Sequence, residues 1–193
     1  EELGGGRIEK VQREVTGVAG TDMRCDFLLT HADASRTIVE VKTVVDTDYD
    51  PAHTPPARFA NKKCIFLGRG SPYERSAIFP WGNSNQKGPD GEKVVSARAI
   101  KHVRELTAIA RGEKREAPPE GTKAESSPPL RACVLFVVVR SDATYFRPNE
   151  EACPSFARHV REAQAAGVRI VARRVSWSDS GEAFDDGEIP VHL

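Results

Sequence analysis

The sequence predicts an α/β fold, and three stretches carry that prediction. Two strand-like runs, Arg24-Cys25-Asp26-Phe27-Leu28-Leu29 and Ile38-Val39-Glu40-Val41-Lys42-Thr43-Val44, flank Thr30 to Arg36, a segment of hairpin-loop length. Arg131 to Val139 is almost continuously apolar, the pattern of a central strand covered on both faces. An amphipathic helix and then an alternating strand follow it, and strand, helix and strand in that order predict a right-handed parallel crossover.

In chain order, Gly4-Gly5-Gly6 reads as the exit of a helix whose body lies upstream. Arg7 to Val18 is a strand with imperfect alternation, carrying Ile8, Val11, Val15 and Val18 among charged neighbours. With the two runs above it makes a three-stranded antiparallel meander. Asp46 to Val95 carries Pro51, Pro55-Pro56, Pro72, Pro80 and Pro89 and reads as a long loop region with one or two short strands. Its apolar islands are Cys64 to Leu67 and Ala77 to Trp81, and Gly68-Arg69-Gly70 reads as a surface turn. Ser96 to Gly112 is a helix: Ser96 can cap it, Ile100, Val103, Leu106 and Ala110 share a face, and Gly112 ends it. Glu113 to Pro129 is polar, with four prolines, and reads as a mobile loop. The second helix runs from Glu150 to Gly167, with Phe156, Val160 and Ala163 inward, and Val168 to Trp177 is the final strand.

Composition bounds the function. The 193 residues suffice for one well-packed domain, and 39% hydrophobic with 29% charged residues is ordinary for a globular protein. Lys plus Arg equal Asp plus Glu at 28 each, so there is no global basic signature and nucleic-acid binding would have to come from local patches. The longest apolar run, Ala132 to Val139, is too short to span a bilayer. Cys25, Cys64, Cys133 and Cys153 are widely separated, which argues against a zinc site and for buried free thiols in an intracellular, reducing compartment. The chain opens Glu1-Glu2-Leu3, with neither an initiator Met nor a signal sequence, and reads as a piece of a longer protein.

The chemistry concentrates on the strand at Ile38 to Val44. Glu40 and Lys42 are two residues apart, so strand alternation projects both from one face. In so apolar a strand both charges are costly unless they pair or hold something. One reading is a Glu40–Lys42 ion pair on a half-exposed face. The other adds Asp26, which antiparallel pairing can bring beside Glu40. Two carboxylates with a nearby lysine suit a hard divalent cation such as Mg²⁺, which needs few protein ligands. Such an ion polarises a phosphoryl oxygen, and the lysine can orient water or offset developing charge. Glu14 is an acid near these strands, although an exposed strand residue accounts for it as well. On the first helix, Arg98, Lys101 and His102 either contact phosphate oxygens or lie on a solvated face, where Lys101 and Glu105 can pair one turn apart.

Asp26 with Glu40-x-Lys42 resembles the active-site signature of the PD-(D/E)xK nuclease superfamily. Several further blocks resemble the sugar fermentation stimulation protein (SfsA) family: Arg13-Glu14-Val15, the strands of Asp26 and Glu40, Phe79-Pro80, and Ser96 to Leu106. Leu135 to Arg140, Phe146-Arg147-Pro148-Asn149 and Glu162 to Val168 complete the set, in order along the chain. The resemblance implies a restriction-endonuclease-like mixed β-sheet flanked by helices over residues 1–193, without the OB-like domain that precedes it in the family. It implies Asp26 and Glu40 as ligands of Mg²⁺ or Mn²⁺, Lys42 as the catalytic lysine, and Arg98, Lys101 and His102 as nucleic-acid contacts. Glu14 and Arg140 are further candidates beside that site.

The chain departs from the family pattern at Ala99, where a Gly is usual, and in three insertions, 46–78, 82–94 and 113–129. Such insertions are commoner in eukaryotic homologues, so the expected compartment is the cytoplasm or, for an algal or plant source, a plastid. Two functions follow from the resemblance. One is a metal-dependent nuclease acting on DNA or RNA. The other is a non-enzymatic DNA-binding regulator of sugar-utilisation genes.

Overall fold

Backbone hydrogen bonding sorts the strands into a dominant sheet and two small ones. This computed structural model describes residues 6–49, 74–83, 85–115 and 129–193. In chain order the elements are β1 (Ile8–Thr16), β2 (Arg24–His31), β3 (Arg36–Val44), β4 (Asp46–Tyr49), β5 (Arg75–Phe79), β6 (Gln86–Lys87) and β7 (Lys93–Val94). Then come α1 (Ala97–Ala110), β8 (Leu130–Val138), β9 (Tyr145–Pro148), α2 (Pro154–Ala165), β10 (Arg169–Trp177) and β11 (Ala183–Ile189).

The six-stranded sheet has the order β1-β2-β3-β8-β10-β11. β1–β2, β2–β3 and β10–β11 are antiparallel, so the expected meander is formed. Arg36 N–H donates to Pro129 O and Val139 N–H to Val44 O, so β3 and β8 advance together and run parallel. The sheet is therefore mixed. β4-β5-β9 form a second sheet, and β6-β7 a two-stranded ribbon.

The chain divides into two compact units. One comprises Glu1–Val41, Ala97–Leu135 and Arg158–Ile170, the other Lys42–Ser96, Phe136–Ala157 and Val171–Leu193. In the first, Leu28, Ile38, Ile100, Val103, Leu106, Val134 and Val160 are buried. The apolar face of α1 thus follows the helical spacing of its sequence. In the second, Phe136 stacks on Phe146 with ring centroids 4.0 Å apart, and Phe79 packs edge-on against Phe156 at 5.2 Å.

Both helices end as their glycines require. Gly112 and Gly167 have φ of +73° and +100°, and each opens a paired closing motif: Glu113 N–H to Ala108 O with Gly112 N–H to Ile109 O, and Val168 N–H to Ala163 O with Gly167 N–H to Gln164 O.

Four expectations need correction. The described residues from Asp46 to Val95 hold four strands rather than one or two, because β4 and β5 pair with each other and β5 pairs in parallel with β9. Trp177 does not end the last strand: β11 follows, and its Asp185, Asp186, Gly187 and Glu188 hide it from any apolar pattern. The second helix starts at Pro154 rather than Glu150, since Asn149 O accepts Cys153 N–H and Asn149 Oδ1 accepts Ala152 N–H in a preceding turn. Lys101 does not pair with Glu105: Lys101 reaches Asp22, and Lys114 takes Glu105. The proposed helix exit at Gly4-Gly5-Gly6 rests mostly on residues outside the described ones, as do the island at Cys64, the turn at Gly68 and the body of the loop after Arg115.

Candidate metal and phosphate site

Antiparallel pairing of β2 and β3 fixes where the two carboxylates lie. The register pairs Leu28 with Ile38 and Phe27 with Val39 and ends there, so Asp26 and Glu40 are the next residues on each strand beyond the last pair. At that step the Asp26 side chain takes over a bond: its Oδ2 accepts the Val41 N–H at 2.6 Å. Asp26 is half-buried and Glu40 only 2% exposed.

Glu40 also reaches α1. Its Oε1 accepts a hydrogen bond from His102 Nδ1 at 2.5 Å, and His102 is 5% exposed. A carboxylate only accepts, so the pairing assigns the hydrogen to Nδ1. His102, grouped in the sequence with Arg98 and Lys101 as a phosphate contact, instead turns inward. Arg98 and Lys101 stay exposed, and Lys101 Nζ lies 2.7 Å from Asp22 Oδ2. That hydrogen bond holds the Asp22 carboxyl below its usual range. Beside Asp26, burial pushes the Cys25 thiol up, and the charges of Glu40 and Asp26 push the same way. Cys25, Cys133 and Cys153 are buried free thiols.

Lys42 opens the second unit. Two residues beyond Glu40 on β3, it is half-buried and shares the Glu40 face by strand alternation. Arg140 lies in that second unit too, where its guanidinium forks onto Asp142, which also pairs with the buried Arg75. Glu14 sits between the paired positions Arg13–Phe27 and Val15–Cys25, with φ of +53°. It is exposed and pairs with Arg24 at 3.5 Å.

Among the described residues no group of three or more His, Cys, Asp or Glu side chains gathers around one point. Asp26 and Glu40 offer two carboxylates on neighbouring strands. That composition suits a hard cation that keeps most of its waters, and does not suit a closed zinc site. Sequence reasoning missed Asp22 as the partner of Lys101, and it missed the inward turn of His102. The second had a signal: Ala99, His102, Leu106 and Ile109 follow the i, i+3, i+7, i+10 spacing of one helix face.

The family of the sugar fermentation stimulation protein RE domain matches residues 123–181. Similarity to whole curated proteins extends this match. A sugar fermentation stimulation protein homolog of Syntrophotalea carbinolica is 41% identical over 99 residues, covering 51% of this chain and 36% of that protein. One from Symbiobacterium thermophilum is 29% identical over 170 residues, 88% of this chain and 48% of that protein. The chain is thus similar to proteins of the SfsA family. A solved structure, that of Pyrococcus furiosus SfsA in complex with Ca²⁺, matches with a TM-score of 0.60 and 25% identity, covering 99% of this chain and 57% of that one. The mixed α/β fold is therefore that of an SfsA protein. The chain spans a third to a half of the length of these two curated relatives.

Proposed function

We propose that this chain carries a divalent-cation-dependent phosphodiesterase site for nucleic acid. The observation that carries the reading is the hydrogen bond from the Val41 N–H to Asp26 Oδ2, one step past the Phe27–Val39 pair, which ties Asp26 to the strand that carries Glu40. The Ca²⁺ complex of the P. furiosus relative supports a hard cation in the family. In this chain Asp26 and Glu40 would hold Mg²⁺ or Mn²⁺. The ion supplies a polarised phosphoryl oxygen and a more acidic water.

The chain's own residues do the rest. Asp26 and Glu40 fix the position of positive charge beside the scissile phosphate. Lys42, on the Glu40 face of β3, orients the attacking water or offsets charge on the phosphorane oxygens. Arg98 and Lys101, exposed on α1, bind backbone phosphates and carry no sequence information. DNA is the proposed substrate, with RNA as the second arm of the test.

The test is cleavage of supercoiled plasmid, labelled single-stranded DNA and labelled RNA, with Mg²⁺ or Mn²⁺ against EDTA, by wild type, Glu40→Ala and Lys42→Ala. Expected is cleavage that requires the cation and falls at least a hundredfold in both variants, each removing a charge that acts in the transition state. Salt-sensitive DNA binding without cleavage in any arm would overturn the enzyme and leave a binding regulator.

A further inference from the structure

We propose that His102 is a positioning residue for Glu40: its Nδ1–H holds Oε1 and thereby sets the orientation of the carboxylate that would bind the cation. The inference rests on the metal-site reading above. Glu40 and His102 are 2% and 5% exposed and 2.5 Å apart, so neither side chain can satisfy itself by swinging into water.

The two ends of the bond are fixed by different means. The ring of His102 sits on the inward face of α1, where Ala99, Val103 and Leu106 are buried with it, so packing limits its rotation. Glu40 is anchored by a strand whose neighbour, Val41, is tied to Asp26. A glutamate has three side-chain torsions, and a single bond to a fixed imidazole removes most of that freedom. Ligands braced in this way from behind bind metal more tightly than unbraced ones. The same helix therefore has two duties: His102 faces in to hold a ligand, and Arg98 and Lys101 face out.

The test measures Mn²⁺ affinity by calorimetry and Tm by thermal melting, for wild type, His102→Leu and His102→Asn. Leucine fills much of the space without a donor. Asparagine places an N–H₂ close to where Nδ1 stood. Expected is an affinity loss of about 10- to 100-fold in His102→Leu, with His102→Asn close to wild type. A folded His102→Leu protein with a lowered Tm and unchanged Mn²⁺ affinity would show a packing role alone and overturn the proposal. Should His102→Leu fail to fold, a folded His102→Asn that loses affinity overturns it, and one that keeps affinity supports it. Absence of Mn²⁺ binding by wild type is a separate result: it removes the metal reading itself, and this inference with it.

Discussion

At the scale of the residue, Asp26 combines two roles that substitution can separate. Its carboxylate accepts the Val41 N–H where the β2–β3 backbone ladder stops, and it adds negative charge next to Glu40. Asp26→Asn keeps an acceptor of the same shape and relieves the repulsion between neighbouring carboxylates, so it should be at least as stable as wild type in urea. Asp26→Ala leaves the N–H without its acceptor and should lose about 1–3 kcal/mol. Both should lose cation-dependent cleavage, which distinguishes charge from scaffolding. A stable, active Asp26→Asn would remove Asp26 from the metal site. The strand period explains why Asp26, Glu40 and Lys42 could be picked out in the sequence: a charge inside an apolar run stands out, and period two assigns its face. Partners far apart in sequence were not legible. Asp22 is 79 residues from Lys101, and no local pattern links them.

At the scale of the element, the sequence was most readable where burial is one-sided or complete. β8 and the inward face of α1 were found within one or two residues, because near-continuous apolar character and helical spacing leave little choice. β11 and β9 were missed for opposite reasons. β11 is almost wholly exposed, and β9 is four residues long and ends in Pro148. What joins β11 to β10 besides the ladder is charge: Arg173 to Asp185 and Arg174 to Asp186, each at 2.6 Å. The Arg173 hydrogen bond pulls the Asp185 carboxyl below its usual range. A depressed carboxyl stabilises the fold above its unfolded pKa and loses that contribution as pH falls through the lower folded value. Asp185→Asn should therefore melt slightly below wild type at pH 7, and the two should converge in acid below the ordinary carboxylate range. The difference should also shrink in high salt, since the pair is exposed. A gap that persists in acid would mean the pair is not its source. On α1, Arg98→Ala and Lys101→Ala should each lower the slope of log K against log salt for DNA by about one, with little change in Tm. Unchanged slopes would place the phosphate contacts elsewhere.

At the scale of the whole molecule, charge is balanced, so attraction to nucleic acid is not a property of the surface at large. The proposed cation site is equally local: it rests on Asp26 and Glu40, which lie just past the last printed pair of one hairpin, Phe27 with Val39. A cation that binds only the folded chain must stabilise it, because the unfolded chain separates Asp26 from Glu40. At a hundred times its Kd the ion adds about 2.7 kcal/mol. In a protein of this size each kcal/mol moves Tm by roughly 2–4 °C. Saturating Mn²⁺ should therefore raise Tm by about 5–10 °C relative to EDTA. The same increment should vanish in Glu40→Ala, which removes the proposed buried ligand, and survive in Arg98→Ala, which changes only an exposed position of α1. That contrast separates a site from a general response to divalent salt: screening acts on every exposed charge and would raise all three proteins alike. Equal shifts in wild type and Glu40→Ala would mean that the cation acts through the surface, and that the hairpin carrying Asp26 and Glu40 serves the fold alone.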